Sequence, residues 1–139
     1  MIVVDASLAV KWFLPEAGAD AAALVLLGDK AIIGPDMLAI EVHATLVRGA
    51  NMVKSNRQEA ESAIKRFQNM IESNDVQLIR STPRQIERSA GLAIELGHPL
   101  KDCIYLALAM ELDCELVTCD AKFATKAKGV WDRVRVWGG

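Results

Sequence analysis

The sequence predicts a single α/β domain over residues 1–139, with a mainly parallel sheet of four to five strands covered by helices on both faces. Short apolar runs alternate with longer helical segments along the whole chain, which is the pattern of βα units. The first run, Ile2-Val3-Val4, is continuously apolar, as strands buried on both faces are. Hydrophobic residues make up 52% of the 139 residues, enough for one core and too few for two.

Five short segments are predicted strands because their apolar residues form short continuous or alternating runs, several of them ended by a turn former or an acid. The fifth of them is expected at an edge of the sheet. The predicted strands are residues 1–4, 31–34, 76–79, 115–118 and 130–137.

The segments between the strands have helical patterns and recognisable ends. Thr82, Pro83 and Gln85 form the clearest start, since they combine a capping residue, a first-turn proline and a capping-box partner. Proline, glycine, serine and asparagine residues mark the other boundaries. The predicted helices are residues 6–13, 16–27, 35–54, 57–73, 83–97, 99–113 and a short one after residue 120.

Composition excludes several classes of protein. No uncharged apolar stretch approaches the roughly 18 residues that a bilayer requires, and the N-terminus lacks the basic region of a signal peptide, so we expect a cytoplasmic protein without a membrane partner. The three cysteines form no CxxC motif and are expected to be reduced thiols. A net charge of −2 excludes a general nucleic-acid coat, although residues 121–139 carry five basic side chains against one acid.

Four acids occupy positions that suggest a common site. Asp5 and Asp120 each follow a predicted strand and precede a helix, and ligands of open α/β sheets bind at the carboxyl ends of strands. Glu41 and Asp102 are the lone acids of two apolar helical segments. Structural interpretations remain open at this point: aspartate caps helices, acids favour the first turn of a helix, and Glu41 fits a narrow polar stripe.

If the four acids converge, their mutual repulsion requires a cation. Oxygen ligands favour Mg²⁺ or Mn²⁺, whereas zinc is disfavoured because neither His43 nor His98 has zinc-binding spacing. His98-Pro99 is interpreted as a turn rather than a base. The hydroxyls of Ser7 and Thr118 lie near the acids and are expected to bond a carboxylate, a metal-bound water, a phosphate or simply the backbone.

At these residues the sequence resembles the PIN-domain family, in particular the VapC-type toxins of type II toxin–antitoxin systems. The motifs that carry the resemblance are VVDASLAVKW with Asp5, PDMLAIEV with Glu41, PLKDCIYLALA with Asp102 and LVTCDAKF with Asp120. Together they span nearly the whole chain in the family's order. Some relatives carry a further acid where this chain has Thr118 and Cys119, so we expect one well-held ion.

The resemblance implies a PIN-like three-layer α/β/α sandwich and a metal-dependent endoribonuclease that inhibits translation. It implies Asp5, Glu41, Asp102 and Asp120 as the catalytic, metal-binding quartet for Mg²⁺ or Mn²⁺, with Ser7 and Thr118 in support. It also implies an RNA substrate such as tRNA or rRNA, a small antitoxin and a homodimer. The apolar run 21–27 is expected either in the antitoxin groove or in the core. The basic residues expected to contact RNA are Lys11, Arg48, Lys122, Lys126, Lys128, Arg133 and Arg135.

Two other functions remain open. A phospho-accepting receiver domain is also an α/β domain that binds Mg²⁺, but Asp5 has no adjacent acid and the second predicted strand ends in Gly34-Pro35 rather than an acceptor aspartate. A non-catalytic RNA-binding protein of the same fold is the third hypothesis, because fold alone does not determine function.

Overall fold

The computed structural model describes residues 1–137 of the chain, and its central feature is one parallel sheet. Each strand is short and apolar, as the sequence predicts. Within the described residues the strands are β1 (Ile2–Val4), β2 (Ile32–Pro35), β3 (Val76–Ile79), β4 (Glu115–Thr118) and β5 (Val134–Val136). They lie in the order β3-β2-β1-β4-β5, and every neighbouring pair is parallel.

Helices connect the strands in the described part of the chain, with short 3₁₀ turns at Val10–Trp12 and Lys54–Asn56. The helices are α1 (Ala6–Ala9), α2 (Ala19–Leu27), α3 (Met37–Met52), α4 (Arg57–Glu72), α5 (Pro83–Leu96), α6 (Leu100–Glu111) and α7 (Ala121–Ala127).

Burial on both faces of the sheet confirms the predicted α/β/α architecture. Val3 and Val4 point to opposite faces of β1, and neither is exposed to solvent. The largest buried side chains, Tyr105, Phe67 and Phe123, come from helices that pack on the sheet. An all-parallel sheet needs such covering on both sides because its central strands, such as β1, are buried on both faces.

The strand order places a topological switch point between β1 and β4. The chain builds β1, β2 and β3 in one direction and then returns to place β4 and β5 on the other side of β1. Val4 lies beside Val117, so the two central strands end at nearly the same level. A crevice forms at such a point because the connections on either side leave in opposite directions.

Most predicted boundaries lie within two residues of the observed ones, since they depend on local signals, whereas the strand predicted for 130–137 is the shorter β5, Val134–Val136. The strands at 76–79 and 115–118 match their predictions, and Thr82 and Gln85 form the predicted capping box at the start of α5. The helix predicted for 6–13 is instead α1 followed by a 3₁₀ turn. The helix predicted from residue 16 begins only at Ala19, because Gly18 adopts a left-handed conformation with φ of 85°.

Cys103 and Cys114 are buried and Cys119 is half-buried, and all three are free thiols. Among residues 1–137, no helix combines the length and the apolar character needed to cross a membrane.

Candidate active site

A polar cavity of about 330 Å³ opens at the carboxyl edge of the sheet, above the switch point. Its walls come from the segment after β1, from α3, from α6 and from the segment after β4. The four predicted acids, Asp5, Glu41, Asp102 and Asp120, all line it. The fold thus brings together side chains that are up to 115 positions apart in the sequence.

Asp5 lies at the floor of the cavity and is 3% exposed. One carboxylate oxygen accepts hydrogen bonds from the Ser7 hydroxyl at 2.6 Å and the Leu8 amide at 3.2 Å, and the other accepts from the Thr118 hydroxyl. Burial raises the pKa of Asp5 to about 6, even though these hydrogen bonds oppose the shift. All three donors are uncharged, so the ionised carboxylate stays costly until a cation approaches.

Ser7 and Thr118 connect the ends of the two central strands. Besides donating to Asp5, the Ser7 hydroxyl accepts from the Cys119 amide and the Thr118 hydroxyl accepts from the Asp120 amide, each at 3.0 Å. Among the roles that the sequence left open for these hydroxyls, the structure shows contacts with a carboxylate and with the backbone. Their effect is to hold Asp5 and the start of α7 in one arrangement.

Glu41 is held at the cavity wall by α3 and α6. Leu38 and Val42 of α3 are buried, which leaves the Glu41 side chain 19% exposed at the border of the core. The Tyr105 hydroxyl donates to Glu41 Oε1, and Lys101 Nζ lies 3.8 Å from Oε2. Burial first, and then the contact with Glu41, raises the pKa of Tyr105, so the phenol keeps its proton and remains a donor.

Asp102 and Asp120 are held by α7 and by the turn before α6. His98 Nε2 lies 2.7 Å from Asp102 Oδ2, and the His98 ring stacks on Phe123 with 4.8 Å between centroids. The Phe123 amide donates to Asp120 Oδ1 at 3.0 Å, so Asp120 caps α7 while it also borders the cavity. Asp5 likewise caps α1, and the structural and functional interpretations of these aspartates therefore coexist.

Among the described residues, a close group of potential cation ligands contains two of the four predicted acids, Asp102 and Asp120, but not Asp5 or Glu41, and it includes a residue that the sequence interpretation set aside. Ligand atoms of His98, Asp102 and Asp120 lie within 4.8 Å of one another. His98 lies in the connection between α5 and α6, directly after Gly97, and its ring contacts Asp102. The short separation of His98 and Asp102 in the sequence was the available signal, although His98 precedes α6 and so does not share a helical turn with Asp102. Tyr105 and Lys101 were missed as well.

The donor chemistry of the cavity fits a hard divalent cation. Carboxylate oxygens dominate its lining, and such oxygens are the ligands that Mg²⁺ and Mn²⁺ prefer. Among residues 1–137, two basic side chains contact a cavity acid: His98 contacts Asp102, and Lys101 pairs with Glu41. The Lys101 side chain is 63% exposed. The negative charge of the four acids therefore exceeds the positive charge that surrounding side chains supply.

The basic residues predicted to contact RNA lie at different distances from this cavity. Arg48 borders it on α3, four residues from Ala44 and seven from Glu41. Lys11 pairs with Glu16 at 3.5 Å, and Lys126 donates to the Gly97 carbonyl. Lys122 and Lys128 are exposed on and after α7, whereas Arg133 and Arg135 pair with acids near the amino ends of β4 and β5.

Solved structures of similar fold include two toxin-related proteins. VapC20 of Mycobacterium tuberculosis, described as a Sarcin-Ricin loop cleaving toxin, has a TM-score of 0.70 at 15% identity, covering 90% of this chain and 94% of that one. A toxin–antitoxin complex from Klebsiella pneumoniae has a TM-score of 0.64 at 20% identity, covering 96% and 95%. PAE2754 from Pyrobaculum aerophilum has a TM-score of 0.64 at 19% identity, covering 92% and 85%.

Sequence comparison gives the family. No curated protein matches the chain. The family model of the PIN domain matches residues 2–129, which is most of the chain and includes all four acids of the cavity. On this match, and with a fold shared at TM-scores of 0.64 to 0.70, the chain belongs to the PIN domain family.

Proposed function

We propose that this protein is a divalent-cation-dependent endoribonuclease and the toxin of a VapBC-type toxin–antitoxin pair. The observation that carries the proposal is the cavity itself, where four carboxylates from four separate segments face two basic side chains, Lys101 and Arg48. Among residues 1–137 only Lys101 and the His98 imidazole pair with these acids. A structural ion-pair network would balance its charges, whereas this group leaves an excess of negative charge. Such an excess is typical of a site that binds a metal cation.

The hydrogen bonds around the cavity support a defined role for each acid. Glu41, Asp102 and Asp120 each have one oxygen held by a donor from this chain. The second oxygens of Asp102 and Asp120 are available as ligands, whereas that of Glu41 lies 3.8 Å from Lys101, whose exposed side chain a cation would displace. Asp5 is buried behind them and supplies negative charge at the floor. A divalent cation bound there supplies a Lewis acid that activates water and offsets the charge of a phosphodiester. Ser7 and Thr118 keep the Asp5 carboxylate in place through their hydroxyls.

RNA binding requires cations next to an acidic cavity, because the substrate is itself a polyanion. Arg48 and Lys101 border the cavity and are the residues best placed to contact phosphates that flank the scissile bond. Lys122 and Lys128 are exposed on and after α7, the helix that Asp120 caps, so we expect them to contact RNA farther from the scissile bond. Lys11, Lys126, Arg133 and Arg135 already contact groups of the protein, so we expect smaller contributions from them.

We also propose that a small antitoxin covers the cavity and that the toxin acts on RNA in the cytoplasm. VapC20 is described as cleaving the Sarcin-Ricin loop, and the Klebsiella pneumoniae structure is a toxin–antitoxin complex, which makes tRNA or rRNA and a cognate antitoxin the first partners to examine. An apolar groove of about 330 Å³ adjoins the cavity and shares Thr45 and Arg48 with it. The homodimer remains a prediction from the family.

RNA cleavage by the purified protein tests the enzymatic part. We expect cleavage in Mg²⁺ or Mn²⁺, its loss with a chelator and its return with added Mn²⁺. The Asp5→Asn variant removes the charge of the buried carboxylate and should be inactive, whereas Asp113→Asn changes an acid outside the cavity and should cleave normally. RNA binding without cleavage in any of these metals would favour the non-catalytic RNA-binding protein instead.

Expression in a bacterium tests the toxin role separately. The active protein should arrest translation and growth, and co-expression of the product of a short neighbouring reading frame should relieve the arrest. If RNA cleavage in vitro is robust but growth and translation are unaffected, the nuclease assignment stands and the toxin assignment fails. Phosphorylation of the protein by a small-molecule phosphodonor would instead favour the receiver alternative.

A further inference from the structure

We propose that His98 is the positioning residue of Asp102: its Nε2–H group holds Asp102 Oδ2 and leaves Oδ1 for the cation. The proposal rests on the cation site of the proposed function and adds to it a residue outside the acidic quartet. His98 Nε2 and Asp102 Oδ2 are 2.7 Å apart, within normal hydrogen-bonding distance.

The surroundings of His98 restrict its ring to one orientation. Its side chain is only 7% exposed, and the ring stacks on Phe123 with an interplanar angle of 26°. Gly97 ends α5 in a left-handed conformation with φ of 61°, and Pro99 precedes the first turn of α6, so the backbone on both sides of His98 is constrained as well. A ring held in this way fixes the carboxylate that it contacts.

The other ring nitrogen shows which atom carries the proton. His98 Nδ1 is buried and has no hydrogen-bond partner among residues 1–137. A buried N–H group without an acceptor is more costly than a bare nitrogen in the same place, because the donor loses its hydrogen bond to water. The arrangement therefore favours the tautomer with the proton on Nε2, where Asp102 accepts it.

This tautomer distinguishes positioning from direct metal ligation. A nitrogen that donates its proton to Asp102 has no lone pair for a metal ion. Ligation through Nε2 would move the proton to Nδ1, whereas ligating histidines usually donate that other N–H to an acceptor. Since Nδ1 has none among the described residues, the structure favours His98 as a donor to a ligand rather than as a ligand.

The same arrangement occurs at the neighbouring acids, which supports the assignment. Tyr105 donates to Glu41 Oε1, and the Phe123 amide donates to Asp120 Oδ1. Each of the three carboxylates thus has one oxygen held by a donor, and at Asp102 and Asp120 this leaves the other oxygen for the cation. Phe123 links two of these contacts, because its amide holds Asp120 while its ring packs on His98.

Two substitutions separate the hydrogen bond from the packing. His98→Gln keeps an N–H donor at a similar reach and loses the ring, whereas His98→Phe keeps an aromatic ring on Phe123 and loses the donor. His43→Gln is the control, since His43 contacts the Ala39 carbonyl and Phe67 outside the cavity. The readouts are the Kd of the protein for Mn²⁺ without RNA, kcat and KM for RNA cleavage, and the fold by circular dichroism.

We expect His98→Phe to weaken Mn²⁺ binding by about 10-fold or more and to lower kcat at unchanged KM, as loss of a hydrogen bond to a ligand does. His98→Gln and His43→Gln should bind Mn²⁺ much as the unchanged protein does. If His98→Phe is normal and His98→Gln is impaired, the ring only packs, and the proposal fails. If both variants lose the fold, electron–nuclear double resonance of the Mn²⁺-loaded unchanged protein decides, because a directly bound imidazole nitrogen would overturn the proposal and its absence supports it.

The binding readout also separates this proposal from the proposed function. Unchanged protein that binds Mn²⁺ but does not cleave RNA contradicts the nuclease, while the variants still test His98. Unchanged protein that cleaves RNA, with equal Mn²⁺ affinity in all three variants, contradicts the role of His98 alone. Unchanged protein that neither binds Mn²⁺ nor cleaves RNA overturns both.

Discussion

The acidic side chains at the two ends of the parallel sheet differ in whether cations of the same chain neutralise them. At the amino end, Glu115 pairs with Lys30 at 3.1 Å and with Arg135 at 2.5 Å, and Asp113 pairs with Arg133 at 3.3 Å. At the carboxyl end, four acids share one cavity and uncharged donors make most of their contacts.

This difference distinguishes acids in structural ion pairs from acids whose charge is left for a bound cation to neutralise. Glu115 and Asp113 have cations of their own chain beside them, so their charges are balanced in the folded protein. Hydroxyl and amide donors orient the cavity acids but leave their charge in place. Identical residue types therefore differ in function because of what the fold places next to them.

The largest expected effect is the loss of RNA cleavage when a cavity acid loses its charge. Asp120→Asn keeps the helix cap, since asparagine caps as well as aspartate does, and should lower cleavage by at least about 100-fold because stabilisation by a cation contributes several kcal/mol. Glu115→Gln at the amino end is the matched control and should cleave normally. Equal activity in the two variants, measured at saturating Mn²⁺, would remove the distinction between the two ends.

Asp5 should make the free energy of unfolding depend on pH, and this effect is comparable in free energy to the loss of cleavage expected for Asp120→Asn. Because burial raises the pKa of Asp5 to about 6 from 3.8, the folded metal-free protein binds the proton more tightly than the unfolded chain does. Protonation of Asp5 therefore stabilises the folded protein by about 3 kcal/mol. This stabilisation is fully present below about pH 4 and is lost as the pH rises through about 6. Urea unfolding in chelator should show this loss in the unchanged protein and not in Asp5→Asn. A pH-independent difference between the two would contradict it.

Cation binding should stabilise the folded protein through the cavity alone. At a Mn²⁺ concentration 100 times the Kd, the expected gain in the free energy of unfolding is about 2.7 kcal/mol. Asp102→Asn should reduce this gain strongly. Asp113→Asn should keep it, and asparagine also tolerates the left-handed backbone that Asp113 adopts, with φ of 53°. Thermal unfolding with and without Mn²⁺ measures the gain, and an equal loss in both variants would contradict a localised site.

The smallest expected effect is on RNA binding, when Arg48 at the carboxyl end of the sheet or Arg135 at its amino end is replaced. Arg48→Gln should weaken RNA binding and reduce the salt dependence of binding by about one counterion, because Arg48 borders the cavity. Arg135→Gln should leave RNA affinity nearly unchanged and cost at most about 1 kcal/mol of stability, the usual contribution of an exposed ion pair. Binding titrations in chelator at several salt concentrations test both, and a larger loss for Arg135→Gln would reverse the comparison.

Local chemistry explains which parts of the structure could be predicted. The strand at 115–118 and the capping box of Thr82 and Gln85 depend on residues within a few positions of one another, and both are confirmed. The apolar run 21–27 was expected either in the antitoxin groove or in the core, and its periodicity is compatible with both. In the structure Ala22 is buried, while Leu24 and Leu27 are 57% and 80% exposed. Only its neighbours in space decide which side chains are covered.

By itself, the sequence determined the alternation of strands and helices and the identity of four acids worth examining, because strand-end positions and lone charges in apolar segments are visible along one dimension. The tertiary structure alone decided that these acids share a cavity, that Tyr105 and His98 orient two of them, and that Arg135 faces Glu115 instead. The physical reason is that a hydrogen bond or an ion pair between distant residues depends on distances of a few ångströms. Those distances exist only once the strands have taken their order in the sheet.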